Sequence, residues 1–222
     1  MSSTTEARAP LRVAVLISGR GSNMLAIAAA CRSGALNARI VRVIADRDDA
    51  AGVPAAQALG LETRLIAARG FPDRAAFEAA LAAEIDASGA QLVVLAGFMR
   101  ILTSEFTTRY AGRLLNIHPS LLPAHKGLHT HERVLAAGDA WHGATVHYVT
   151  AELDGGPLIA QARVAVRHDD TADSLSARVQ QREHILYPTV IGWIAADRLR
   201  WQDGVPCLDG APLRAPLRLE DA

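Results

Sequence analysis

The sequence has few of the features that mark secreted, membrane or nucleic-acid-binding proteins. Two cysteines in 222 residues are too few for a disulfide framework, and both are interpreted as reduced thiols. Basic and acidic residues balance at 23 each, so no excess charge indicates nucleic acid or anionic lipid. No apolar run reaches the roughly 18 residues of a membrane span, and residues 1–10 lack the apolar core of a signal peptide. The composition therefore predicts a cytoplasmic protein that acts on small molecules, with no nucleic-acid or membrane partner.

Lysine is almost absent, because arginine supplies 22 of the 23 basic residues and Lys126 is the only lysine. An ammonium and a guanidinium differ in shape and hydration, so the two are not interchangeable at every site. Lys126 lies in the segment 123–127, Pro-Ala-His-Lys-Gly. The favoured interpretation is a mobile loop with a solvated ammonium, and contact with a ribose phosphate is a weaker one.

Segments typical of strands and helices alternate along most of the chain. Short β-branched runs at 12–17, 39–45, 62–66, 92–96 and 114–117 are separated by alanine-rich helical segments that end near glycines. Such alternation predicts a parallel sheet. The segments 145–149 and 158–166 are joined by a loop and predict antiparallel pairing at one side of that sheet. A long helix is expected to start at residues 170–173 and to kink at Pro188.

The predicted fold class is α/β, with an open, mostly parallel Rossmann-like sheet, helices on both faces and an antiparallel C-terminal part. The length suits one sizeable core. We expect residues 1–10 to be a disordered N-terminal extension and 11–222 to be a single domain. Within that domain, residues 199–222 are expected to form a small tail with a hairpin and a loose end. The chain is expected to be a monomer or a homodimer, and the sequence does not choose between them.

A glycine loop, Gly-Arg-Gly-Ser-Asn at residues 19–23, follows the first predicted strand and precedes the first helix. Backbone N–H groups at such a turn bind anions, and glycine lets a phosphate approach closely. A dinucleotide site would need a third glycine where Met24 stands, although Asp46 lies near the distance of a ribose-binding acid. A monophosphate fits the loop better. The purely structural alternative is a turn in which Ser22 or Asn23 caps the helix.

Three side chains further along the chain could serve acyl-transfer chemistry. Asn116 and His118 are two residues apart in a predicted strand, so both would face the same side. An amide can donate to a developing oxyanion, an imidazole can move a proton, and the carboxylate of Asp154 could orient that imidazole. Each also has a purely structural interpretation. Asn116 could hydrogen bond to loop backbone, His118 could be a buried, hydrogen-bonded ring, and Asp154 could be a turn residue. His147, on the strand before Asp154, is interpreted as a partner lying behind the catalytic groups.

Four motifs decide between these alternatives, because they occur together and in order. They are Ile-Ser-Gly-Arg-Gly-Ser-Asn at 17–23, Ala-Gly-Phe-Met-Arg at 96–100, Asn-Ile-His-Pro-Ser-Leu-Leu-Pro at 116–123 and Glu-Leu-Asp-Gly-Gly-Pro at 152–157. From residue 13 to about 193 the chain resembles the phosphoribosylglycinamide formyltransferases, the folate-dependent enzymes of purine synthesis. The resemblance implies 5-phosphoribosyl-glycinamide as the acceptor and 10-formyltetrahydrofolate as the cosubstrate, with no metal.

The resemblance also implies roles for individual residues. It makes Asn116, His118 and Asp154 catalytic. The phosphate of the acceptor would lie on Gly21, Ser22 and Asn23, and Glu183 would contact the glycinamide amine. The folate would be bound by Arg74, Met99, Arg100, Ile101, Leu102, Asn116, Leu153 and Asp154.

Other functions fit less of the sequence. Five histidines between 125 and 147 raise the possibility of a metal site, but no cysteine or glutamate completes a familiar spacing. A non-catalytic dinucleotide-binding module leaves Asn116, His118 and Asp154 unexplained, and a serine hydrolase would need a G-x-S-x-G elbow. Related methionyl-tRNA formyltransferases and formyltetrahydrofolate hydrolases share the catalytic trio. The first are expected to carry a basic C-terminal domain and the second an N-terminal regulatory domain, and neither is evident.

Overall fold

The computed structural model describes residues 8–219, in which strands and helices alternate as the sequence predicts. The strands are β1 (Leu11–Ile17), β2 (Ala38–Ala45), β3 (Thr63–Leu65), β4 (Leu92–Leu95), β5 (Leu114–His118), β6 (Trp141–Tyr148), β7 (Leu158–Ala165), β8 (Leu199–Gln202), β9 (Val205–Leu208), β10 (Ala211–Pro212) and β11 (Leu217–Leu219). The α-helices are α1 (Ser22–Arg32), α2 (Gly52–Ala58), α3 (Arg74–Ala87), α4 (Ser104–Arg109), α5 (Thr130–Ala137) and α6 (Ala172–Ala195).

Eight of these strands form one sheet in the order β11-β7-β6-β5-β4-β1-β2-β3, and β8 to β10 form a small antiparallel sheet. The five neighbouring strands β5, β4, β1, β2 and β3 are parallel, whereas β6 is antiparallel to both β5 and β7. The predicted fold class, mostly parallel with an antiparallel C-terminal part, is confirmed.

The large sheet is covered on both faces, as its continuous hydrophobic strands require. In β1, the side chains of Val13, Val15 and Ile17 pack into a core that includes α1 and α6. Ala14 and Leu16 point the other way, into a core built with α3 and α4. All five side chains are fully buried. Residues that alternate along β1 thus attach helices to opposite faces of the sheet.

Strand order fixes where a ligand can bind. From β1 the chain continues to β2 on one side, and from β4 it continues to β5 on the other, so connections diverge between the neighbours β1 and β4. In open α/β sheets such a switch point leaves a crevice at the carboxyl ends of the strands. The loops after β1 and β4 are joined there, because the Met99 N–H donates to Ser18 Oγ at 2.8 Å.

The C-terminal segment corrects one prediction. A hairpin is present as β8 and β9, but the expected loose end is wrong, because β11 pairs in parallel with β7, with Leu217 opposite Ala160. A strand of three residues has no readable alternation, and the free edge of β7 determines its pairing. Strand β6 also starts earlier than predicted, at Trp141, because pairing with β7 extends it through His142 and Gly143.

The predicted ends of the domain and of its long helix can be compared with the structure. Residues 1–7 of the predicted N-terminal extension lie outside the described residues, while the Arg8 carbonyl accepts from Asn37 Nδ2 at 3.0 Å. Helix α6 starts with a capping box between Thr171 and Ser174 and continues through Pro188. Within residues 8–219, no helix combines the length and hydrophobicity needed to cross a bilayer.

Candidate active site

Two adjoining cavities open at the carboxyl edge of the sheet. The glycine-loop cavity, of about 460 Å³, lies between residues 18–23 and α6. The triad cavity, of about 480 Å³, is named for Asn116, His118 and Asp154, which line it together with the loop after β4 and residues 127–132. Five residues line both cavities: Gly97, Met99, Ile117, Pro119 and His131. The two cavities are therefore two parts of one cleft.

The glycine loop presents uncapped backbone N–H groups to its cavity. Gly21 is the N-cap of α1, with a left-handed φ of 70°, and no side chain of residues 8–219 caps the helix. A Cβ at this position would lie 3.2 Å from the Gly52 Cα, so a larger residue is opposed by both φ and space. Neither Ser22 nor Asn23 caps α1, which corrects the structural alternative. The free N–H groups and the helix dipole together favour an anion.

Helix α6 holds this loop in place from the other side of the cavity. Gln180 Nε2 donates to Ser22 Oγ at 3.0 Å, and Asn23 Nδ2 donates to Glu183 Oε2 at 2.8 Å. Burial raises the pKa of Glu183, and the hydrogen bond from Asn23 partly offsets that rise. All four predicted acceptor-site residues, Gly21, Ser22, Asn23 and Glu183, line the same cavity.

Strand β5 and the loop after β6 bring the three predicted catalytic side chains together. Asn116 and His118 share one face of β5, opposite His147 and Thr145 of β6. Asp154 has a left-handed φ of 48° and a nearly buried carboxylate. Its Oδ2 lies 3.3 Å from His118 Nδ1 and accepts the Gly127 N–H at 2.9 Å. The carboxylate thus contacts the imidazole and the loop that follows β5.

Each nitrogen of the His118 imidazole faces an oxygen atom. Its Nε2 lies 3.0 Å from the carbonyl oxygen of His125, and its Nδ1 faces Asp154. Both groups can only accept a hydrogen bond, so only a ring with hydrogen on both nitrogens can donate to both of them.

His147 orients the amide of Asn116. Its Nδ1 donates to the Tyr148 carbonyl at 2.9 Å, so its Nε2 carries the lone pair. Asn116 Nδ2 lies 3.3 Å from that Nε2 and donates to it. Burial lowers the pKa of His147, which favours the neutral ring that this geometry needs. His147 thus contacts Asn116, one of the three predicted catalytic residues, and its predicted supporting role stays a prediction.

The chain is similar in sequence and in fold to known proteins. The family model described as Formyl transferase matches residues 11–191. The chain is 48% identical over 203 residues to phosphoribosylglycinamide formyltransferase of Escherichia coli (strain K12), covering 91% of this chain and 96% of that protein. A solved structure of phosphoribosylglycinamide formyltransferase from Coxiella burnetii superposes with a TM-score of 0.92 at 48% identity, covering 95% of this chain and all of that one. The chain belongs to the formyl transferase family. It is an enzyme, a formyltransferase, as the four motifs predict.

One structural neighbour has a different name. A solved structure of a formyltetrahydrofolate deformylase from Pseudomonas putida KT2440 matches with a TM-score of 0.82 at 27% identity, covering 92% of this chain and 72% of that one. The fold alone is therefore shared by proteins named for transfer and for deformylation.

Most of the residues that this formyltransferase was predicted to use for folate border the triad cavity. Met99, Arg100, Ile101 and Leu153 line it, and three of them are large exposed hydrophobic side chains, with Met99 at 71%. Arg100 is fixed by Asp46, whose buried Oδ2 lies 2.5 Å from its Nε. Asp46 is thus committed to an arginine, which argues against its role as the acid of a dinucleotide site.

Two of the predicted folate residues lie elsewhere. Arg74 lines a third cavity, of about 470 Å³, which adjoins the triad cavity because Met99, Arg100 and Ile101 border both. Leu102 is 7% exposed and packs into the core formed with α3 and α4, and it borders neither of the first two cavities. The segment after β4 borders the triad cavity, but the Leu102 side chain is turned inward.

The sequence did not identify every residue of the cleft. The triad cavity is also lined by Gly127, Leu128, His129, Thr130, His131 and Glu132, and the glycine-loop cavity by Arg20, Arg47, Ser176 and Gln180. The crowding of histidines after β5 was the available signal for the first group. For the second group, no motif marks the face that α6 turns to the glycine loop.

The lone lysine of this formyltransferase has a partner. Lys126 Nζ lies 2.7 Å from Glu152 Oε1, and Lys126 borders neither cavity of the cleft. The ammonium is therefore paired and not alone as expected, although it stays partly exposed, and the geometry gives no support to a phosphate contact. The bridge joins the loop after β5 to the loop that carries Asp154. Within residues 8–219, no three His, Cys, Asp or Glu side chains are grouped as a metal site.

Proposed function

We propose that this formyltransferase transfers the formyl group of 10-formyltetrahydrofolate to the amine of 5-phosphoribosyl-glycinamide, in de novo purine biosynthesis. One observation carries the proposal. An anion-binding loop and an Asn-His-Asp group line adjoining cavities that share five residues. A molecule with a phosphate at one end and an amine at the other suits a cleft with these two parts. The names of the relatives support the same acceptor.

The acceptor fits the glycine-loop cavity. Its phosphate would take the uncapped N–H groups after Gly21, where helix dipole and backbone donors act together. Ser22 and Asn23, already oriented by Gln180 and Glu183, would complete the phosphate site. The carboxyl group of Glu183, buried at the wall of the same cavity, would accept a hydrogen bond from the amine.

The donor fits the triad cavity. A pterin ring is flat and apolar on its faces, and the exposed side chains of Met99, Ile101, Leu128 and Leu153 offer apolar contact at the cavity. The remainder of the folate would extend past Arg100 towards Arg74 in the third cavity, where guanidinium groups suit carboxylates.

The chemistry needs no covalent nucleophile from the protein. The amine nitrogen forms a bond to the formyl carbon, negative charge collects on the formyl oxygen, and the bond from that carbon to N10 of the folate then breaks. The proton lost by the attacking nitrogen is transferred to N10. One N–H of Asn116 Nδ2 is taken by His147, and the second would donate to the oxyanion. His118 Nε2–H would turn from the His125 carbonyl to the oxyanion, while Asp154 holds the ring through Nδ1.

Water is the competing acceptor, because a relative is named as a deformylase. The glycine loop favours the phosphorylated amine, since hydrolysis requires no phosphate site. The test is to supply 10-formyltetrahydrofolate with 5-phosphoribosyl-glycinamide, or with no acceptor, and to follow tetrahydrofolate release. Release that depends on the glycinamide is the expected result. Equal release with and without it would refute the proposed acceptor.

A further inference from the structure

One polar side chain on the shared wall of the two cavities has no role in the chemistry above. Four of the five shared residues, Gly97, Met99, Ile117 and Pro119, have no side-chain nitrogen or oxygen. The fifth is His131, in the first turn of α5. A substrate that reaches from the glycine loop to the triad must pass this imidazole.

A second histidine occupies one nitrogen of that ring. His131 Nδ1 lies 2.9 Å from Nε2 of His142 on β6, and the two rings meet edge to face with centroids 5.0 Å apart. Burial lowers the pKa of His131, and it lowers the pKa of His142 to about 4. Both rings are therefore neutral near pH 7, and a single N–H lies between them.

The surroundings of His142 decide which ring owns that hydrogen. Its Nδ1 is buried and has no hydrogen-bond partner among the described residues. An orphaned buried N–H is rarer and more costly than an unfilled acceptor. The hydrogen of His142 is therefore on Nε2 and is donated to His131 Nδ1. Neutral His131 then carries its own hydrogen on Nε2, for which the described residues provide no acceptor.

We propose that His131 donates a hydrogen bond from Nε2 to an oxygen of the phosphorylated acceptor where the two cavities meet, and that His142 sets the tautomer required. This inference rests on the proposed function, which gives the acceptor its direction across the shared wall. The partner is an amide or hydroxyl oxygen, because an N–H group needs an acceptor and the phosphate would lie at the glycine loop. A neutral donor has a further advantage here: it does not repel the positive charge that develops on the attacking amine.

Steady-state kinetics test the contact. His131→Ala should raise the KM for the glycinamide about 3- to 10-fold, as expected for one neutral hydrogen bond, and leave the KM for the folate unchanged. His131→Gln, whose amide N–H reaches near the position of Nε2, should restore most of the loss. His168→Ala is the matched control, because that histidine is 96% exposed and borders neither cavity. An unchanged KM, equal rises for both substrates, or no rescue by glutamine would overturn the proposal.

Nitrogen-15 NMR of the whole unliganded protein tests the tautomer independently of turnover. The expected His131 signals are a protonated Nε2 and a bare Nδ1. His142→Leu should mix the two tautomers of His131 and raise the KM for the glycinamide, while His142→Gln keeps a donor to Nδ1 and should preserve both. A protonated Nδ1 on wild-type His131 would refute the inference. A wild-type protein that does not formylate the glycinamide would instead refute the proposed function, and the NMR result would still stand.

Discussion

Replacing Asn116 by alanine tests the proposed oxyanion stabilisation most directly. In the structure, the amide of Asn116 has one described side-chain hydrogen-bond partner, Nε2 of His147, and is not hydrogen bonded to His118 or Asp154. The substitution should therefore remove one oxyanion donor and leave the contact between His118 and Asp154 intact. Loss of one such donor costs about 2.7–4 kcal/mol in the transition state, which corresponds to a fall in kcat of roughly 10²- to 10³-fold. Both KM values should change little, because the donor acts on charge that is absent from the ground state.

The assay is formation of tetrahydrofolate at saturating concentrations of both substrates, followed by single-turnover measurements that isolate the chemical step. Asn37→Ala serves as the matched control, since Asn37 is exposed and its amide binds only the Arg8 carbonyl among the described residues. Because the substitution leaves a lone pair of His147 without a donor, it could lower stability. The midpoint of thermal unfolding of the variant must therefore be shown to lie close to that of the wild type. A folded Asn116→Ala protein with kcat within about tenfold of the wild type would refute the donor role.

Three further predictions follow from other contacts. Asp154→Asn replaces the carboxylate that lies 3.3 Å from His118 Nδ1 and orients the ring, so kcat should fall by roughly 10²-fold or more; a kcat close to that of the wild type would contradict this. The pKa of His142 is about 4 in the folded chain and 6.5 in the unfolded chain. The stability that the neutral ring contributes is therefore fully present above pH 6.5 and is lost as the pH falls towards 4. Between pH 7 and pH 4, the free energy of unfolding measured in urea should fall by up to about 3 kcal/mol less for His142→Gln than for the wild type. Equal falls for the two proteins would refute the sign. For Lys126 and Glu152, a double-mutant cycle should give a coupling of at most about 1 kcal/mol that fades at high salt, because the bridge is partly exposed; a coupling that salt does not alter would contradict this.

Much of the fold was predictable because local pattern and tertiary environment agree. The loop after β1 and the strand that carries Asn116 and His118 could be predicted because each contains a short motif of consecutive residues. Strand β11 was not predictable, since three residues have no periodicity and an unpaired edge of β7 selects them.

The site was predictable to a different extent on each side of the cleft. Two side chains on one strand face the same way by geometry alone, so Asn116 and His118 could be paired from sequence. His131 and His142 could not, because their contact depends on how α5 packs beside β6. Leu102 shows the converse, since a motif gives the position of a segment and not the direction in which each side chain points.

The tie between α6 and the glycine loop has a consequence for the order in which the molecule is made. Asn23 and Glu183 are hydrogen bonded across 160 positions of sequence, and Ser22 and Gln180 across 158. A ribosome releases the loop early and its partners only after most of the chain has been translated. During synthesis the turn after β1 can form beside β2, but its side chains have no α6 to bind. The glycine-loop cavity is thus among the last parts of the protein to form, and the proposed acceptor site is incomplete until the long helix has emerged.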